Sequence, residues 1–100
     1  MDLLRIRRVA AMPGYRLKLT LTDGSVVERD ISALLEGPLF GVIREGTVFS
    51  KVRVSGGAIE WPNGADICPD LLIWGGLPPR EEGARPPDAL VLTRKHLASE

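Results

Sequence analysis

The chain has one hundred residues, thirteen basic and thirteen acidic, with a net charge of zero. That balance argues against a general nucleic-acid or membrane-surface binder, which carries a basic excess. The apolar fraction of 44% fits one globular domain with a modest core.

Cys68 is the single cysteine, so no intrachain disulfide can form, which fits a reducing, cytoplasmic setting. No apolar run approaches the ~18 residues of a membrane span. The first residues, MDLLRIRRVAAMPG, mix basic and apolar side chains where a signal peptide needs a continuous apolar stretch. They read as mature structure. Leu4, Ile6, Ala10 and Met12 share a parity, so this segment joins a sheet, with Arg8 as the misfit on the same parity. Pro13-Gly14 is a turn signal.

In YRLKLTL, Leu17, Leu19 and Leu21 alternate with Arg16, Lys18 and Thr20, the period of a half-buried strand. SVVERDI is its partner across Thr22-Asp23-Gly24. A two-residue loop would set Leu19 against Glu28 and Leu17 against Asp30, placing acids on the apolar face at high cost. A three-residue loop with left-handed Gly24 sets Leu19 against Val27, Lys18 against Glu28 and Arg16 against Asp30. Opposite charges across a ladder contribute roughly 0.2–1 kcal/mol each, so the three-residue loop is expected.

Ser32 reads as the N-cap of a helical turn over 33–36 stopped by Gly37-Pro38. Phe40, Val42 and Ile43 suggest a second short helix ending near Gly46. KVRVSGGAIEW is a second hairpin: a two-residue Gly56-Gly57 turn pairs Val54 with Ile59, Val52 with Trp61, and Arg53 with Glu60.

The stretch EWPNGADICPDLLI at 60–73 is the densest in the chain. Pro62-Asn63-Gly64 fits a turn, Asp66 an Asx-type tie to nearby backbone, and Pro69-Asp70 the first turn of a helix. Leu71 to Trp74 then supply an apolar helical turn. The candidate binding residues are Trp61, Asn63, Asp66 and Trp74. Cys68, flanked by two aspartates that disfavour its thiolate, reads as a small buried or half-buried residue at a helix start. Residues 77–87, LPPREEGARPP, have linker composition. The last piece, DALVLTRKHLASE, fits either a short helix capped by Asp88 or a strand docked through Leu90, Val91 and Leu92. The expected division is a single domain over 1–76 and a linker-like tail over 77–100 that docks or binds a partner.

Chemistry is sparse. Asp66, Cys68, Asp70 and His96 are the only imaginable ligand set, and their spacing matches no metal motif. One histidine leaves few options for proton transfer, Ser32 and Ser55 lack nucleophile-elbow context, and no phosphate-cradling loop is present. No catalytic residue, metal or cofactor is assigned. Of the basic residues Arg5, Arg7, Arg8, Arg16 and Lys18, the last two have acidic partners in the expected register, and Arg5 and Arg7 are left over, with no clustered aromatics for base stacking.

The TDG hairpin, the WPNGAD turn and the PDLL helix, in this order over residues 3–74, resemble domain-of-unknown-function family 2442. The resemblance implies a small bacterial α+β domain with an antiparallel sheet and no established catalytic residues. It also implies a gene often placed beside another small uncharacterised family, as in a toxin–antitoxin pair. Some members carry a helix-turn-helix domain after this one; only about two dozen residues follow Trp74, too few for such a domain.

The fold expected is therefore α+β: a small antiparallel sheet of hairpins with two or three short helices. The function expected is a non-catalytic protein-interaction module, antitoxin-like toward a neighbouring small protein or self-associating. The alternative is a nucleic-acid-associated regulator using Arg5, Arg7 and Arg8 on the N-terminal sheet face.

Overall fold

The computed structural model describes residues 4–45, 47–80 and 83–93; His96 lies outside them. The chain forms two sheets and a few short helices, an α+β fold. The first sheet contains β1 (Ile6–Met12), β2 (Arg16–Leu21), β3 (Val26–Asp30) and β7 (Ala89–Val91), in that order. The second contains β4 (Arg53–Ser55), β5 (Ala58–Glu60) and β6 (Asp66–Ile67). Between the sheets in sequence lie 3-10 turns at Ser32–Leu34, Gly41–Arg44 and Phe49–Lys51, and the helix α1 (Gly37–Phe40); α2 is Pro69–Trp74.

The β2–β3 register is the one that charge pairing demands. Leu19 faces Val27, Lys18 faces Glu28 and Arg16 faces Asp30, and Gly24 takes φ +90° in the loop. The ion pair that forms is diagonal, Arg16 to Glu28 at 3.7 Å. Asp30 instead accepts hydrogen bonds from the Ser32 N–H at 3.0 Å and hydroxyl at 2.8 Å. The expected Ser32 N-cap is thereby corrected: Ser32 is the first residue of the 3-10 turn, and Asp30 holds it. Gly37-Pro38 likewise begins α1, where proline's missing N–H is tolerated.

Arg8 does not spoil β1, because the strand bulges. Ile6 pairs with Leu21 and Arg8 with Thr20, leaving Arg7 as the extra residue. The bulge reverses the parity beyond it. Ile6 is buried, Arg7 and Arg8 are both exposed, and Val9 and Ala11, rather than Ala10 and Met12, pack against the core. The second hairpin pairs Arg53 with Glu60 and Val54 with Ile59, with Arg53 and Glu60 bridged at 2.9 Å. The Ile6 N–H donates to the Gly57 carbonyl at 3.1 Å and ties one sheet to the other.

One core joins the layers: Leu17, Leu19, Leu21 and Val27 from the first sheet, Ile59, Trp61 and Ile67 from around the second, and Leu71, Leu72 and Ile73 from α2. The tail segment enters it. β7 pairs with β3 in parallel, Glu28 to Ala89 and Asp30 to Val91, and Leu92 is fully buried. Of the helix and the strand the sequence allowed there, the strand forms.

Candidate functional site

The corner at 61–68 is built by local chemistry. Trp61 begins a turn closed by the Gly64 N–H on the Trp61 carbonyl at 3.0 Å. Asn63 ties it: its carbonyl oxygen accepts from the Ala65 N–H at 3.2 Å, and its amide donates to the Leu39 carbonyl at 2.9 Å. That is the role expected of Asp66, which instead sits in β6 opposite Glu60, with its side chain exposed.

Trp61 points inward. It is 1% exposed, its indole N–H donates to the Phe49 carbonyl at 3.1 Å, and its ring lies 6.4 Å from that of Phe49. Tyr15 meets Phe49 edge-on at 5.3 Å, and the Arg44 guanidinium lies 5.0 Å from the Tyr15 ring centre. Trp74, at the end of α2, is half-buried. The four candidate binding residues thus part ways: Trp61 belongs to the core, Trp74 packs on its edge, Asn63 fastens the corner to α1, and Asp66 alone reaches freely outward.

Asp66 does so at the rim of a cleft of about 230 Å³ lined also by Leu34, Phe40, Ile67, Cys68 and Leu71. Its lining is almost wholly apolar. Cys68 is exposed, contrary to the buried or half-buried position expected, because Ile67 takes the inward place in β6 and Pro69 starts α2. Leu39 in α1 and Val42 in the 3-10 turn that follows it are 45% and 40% exposed. Among the described residues, no three His, Cys, Asp or Glu side chains are grouped to hold a metal ion, and no helix is long and apolar enough to cross a membrane.

The N-terminal arginines are also divided. The side chain of Arg5 lies over Gly57, where a Cβ would come within 2.9 Å of it, and its guanidinium reaches the Leu4 carbonyl at 3.3 Å. Arg7 and Arg8 are both exposed beside the bulge, and among the described residues neither forms an ion pair.

Sequence reasoning missed Arg29. It faces Leu17 on the inner side of the sheet and is 0% exposed. Its Nε donates to the Leu72 carbonyl, Nη1 to the Glu28 backbone carbonyl at 2.6 Å, and Nη2 to the carbonyls of Ile73 at 2.8 Å and Pro87 at 2.9 Å. The cation therefore satisfies the carbonyls that the last turn of α2 leaves open and sits at the negative end of the helix dipole. Burial lowers its pKa, and the charge of Asp88 raises it in part. The signal was present in the register itself, which puts every second residue of β3 inward.

A small two-sheet α+β domain with an apolar cleft beside a tight Asn-fastened corner is the class these features define. The comparisons give it a family. Residues 6–76 match the family described as Protein of unknown function (DUF2442), and the chain belongs to that family. No curated protein matches it. A crystal structure from Nitrosomonas europaea, named "Putative DNA Binding Protein", is similar at 28% identity with a TM-score of 0.55, over 62% of this chain and 44% of that one. The chain therefore spans less than half the length of that solved relative.

Proposed function

We propose that this domain is a non-catalytic protein-interaction module whose binding site is the cleft between α1 and the β6–α2 corner. The observation that carries the reading is the cleft itself: apolar walls from Leu34, Phe40, Ile67 and Leu71 open to solvent, with the Asp66 carboxylate at the rim. A concave apolar site with one placed polar group suits a side-chain anchor. The complementary partner presents a large apolar residue with a lysine or arginine beside it. A small protein encoded next to this one, neutralised in antitoxin fashion, is the partner we would test first.

Cys68 supplies the test without altering the core, since it is exposed, lines the cleft and is the only thiol. The adjacent gene product is co-expressed, and its affinity is measured before and after alkylation of Cys68 with a bulky maleimide. A loss of about tenfold or more, about 1.4 kcal/mol, is expected, with no loss in Cys68→Ser treated the same way. Unchanged binding after full alkylation removes the cleft from the account.

A second reading rests on the bulge, which sets Arg7 and Arg8 side by side on the outer face, and on the name of the Nitrosomonas relative. It is a nucleic-acid-associated regulator, for which binding to the gene's own upstream DNA would weaken steeply with salt and vanish in Arg7→Glu/Arg8→Glu. Zero net charge favours the first reading over it.

A further inference from the structure

We propose that the edge of β3 is a strand-acceptor site and that the chain's own segment 87–92 occupies it exchangeably, in the same molecule or in a second copy. The proposal goes beyond the cleft reading and stands without it.

The contacts of this segment are those of a peptide ligand on a sheet edge. The Glu28 N–H donates to the Asp88 carbonyl at 2.8 Å, and the Leu92 N–H to the Asp30 carbonyl at 2.9 Å. Between them the three residues of β7 run parallel to β3. Arg29 reaches the Pro87 carbonyl at 2.9 Å, and Leu92 fills a wholly buried position. Backbone ladder bonds, one cation on a carbonyl and one apolar anchor are the elements by which extended peptides add to sheets. Without the segment, β3 would present an open edge and Arg29 would lose one of its acceptors, so the site favours a strand in this place.

Nothing in these contacts requires the strand to come from the same chain. The family match ends at residue 76, and the connection that follows, GLPPREEGARPP, is rich in proline and glycine. Leu77 in that connection is 90% exposed. Twelve residue steps from Gly75 to Pro87 in an extended proline-rich conformation reach about 37 Å. The molecule measures 40 × 26 × 22 Å, so the segment can span to the β3 edge of a neighbouring copy. Exchange between copies would conserve every contact named above, which is the condition for low-cost swapping.

A short tether holds the segment at an effective concentration on the order of millimolar. The monomer therefore prevails in dilute solution, and exchange appears when the chain is refolded near 1 mM, by the same arithmetic. The test uses the full chain carrying Glu28→Cys and Ala89→Cys, positions that face one another across β3 and β7, in a Cys68→Ser background. Tagged and untagged chains are mixed unfolded, refolded over a concentration series and oxidised. The expected result is a covalent tagged–untagged dimer bridged between positions 28 and 89 of different chains. Its ratio to the internally bridged monomer should rise about tenfold for each tenfold rise in concentration. An internally bridged monomer at every concentration, or bridges joining like positions, overturns the proposal. Light scattering on the unsubstituted chain, refolded in the same series, guards against a folding defect in the variant. Dimer mass near 1 mM is expected there, and monomer mass throughout overturns the exchange.

Discussion

Replacing Arg29 with methionine tests the energetic account at its most demanding point. The methionine keeps most of the side chain's apolar length but removes the donors to Leu72, Ile73 and Pro87 as well as to Glu28. A buried acceptor left unsatisfied costs about 1–3 kcal/mol, so the buried Leu72 and Ile73 carbonyls together lose about 2–6 kcal/mol, while the exposed Pro87 turns to water. Against this, the guanidinium's own desolvation cost, several kcal/mol, is recovered. That cost is fully present at neutral pH, since burial depresses the pKa of Arg29 and the cation would be released only as pH rises through the depressed value. Taking the upper part of that range, about 5 kcal/mol, less about 3 kcal/mol of recovered desolvation, the net expectation is about 2 kcal/mol, an appreciable part of the 5–15 kcal/mol typical of a domain. The Tm should fall by about 8–16 °C. Urea unfolding gives the free energy, and amide exchange gives the location: the Glu28 N–H, bonded to Asp88, should lose protection with the segment that Arg29 clasps. Arg16→Met is the control, because the exposed Arg16–Glu28 pair at 3.7 Å contributes less than about 1 kcal/mol. Stability of Arg29→Met within about 1 kcal/mol of the parent chain would refute the reasoning, since the orphaned carbonyls would then cost no more than the desolvation recovered.

Three further outcomes follow from the same geometry. Trp61→Ala should cost about 3–5 kcal/mol, read by chemical denaturation with Trp74 fluorescence as the probe; a cost below about 1 kcal/mol would mean that Trp61 does not anchor the core. Gly57→Ala should cost about 1–3 kcal/mol, because Gly57 sits at φ +85° with Arg5 in the way of a Cβ. Arg5→Ala should recover part of that cost in a double-mutant cycle, whereas full additivity would dissolve the contact. Asp23 should titrate below 3.8, because the Ser25 hydroxyl and then the Ser25 N–H bond its carboxylate. A carboxyl pKa depressed by folding stabilises above its unfolded value and ceases to as pH falls through the folded one. The loss should therefore lie in strong acid, and a carboxyl NMR midpoint at or above 3.8 contradicts it.

Those parts of the fold governed by local chemistry were legible in the sequence. Both hairpin registers follow from turn residues and cross-strand charge, because Lys18 and Arg53 stand opposite acids only in one register of each hairpin. The start of α2 follows from Pro69-Asp70. Features decided by distant partners were not legible. Arg7-Arg8 violates the period of β1, and the violation was itself the mark of the bulge, but two adjacent arginines do not say on which side of them the parity turns. Arg29 faces inward by the same alternation that places Val27, yet the carbonyls that make its burial tolerable lie more than forty residues on. β7 has only three residues and takes its conformation from β3, so its own sequence left helix and strand equal. At the candidate site, the corner was readable but its tie was not: Asn63 and Asp66 offer the same oxygen geometry, and only the path of β6 decides which faces the backbone.

The most direct measurement is the affinity of the neighbouring gene product for the chain with Cys68 free and with Cys68 alkylated, in low and in high salt. The account predicts binding that is nearly independent of salt and weakened about tenfold or more by alkylation. Binding that survives alkylation, or that collapses with salt and with Arg7→Glu/Arg8→Glu, would contradict it.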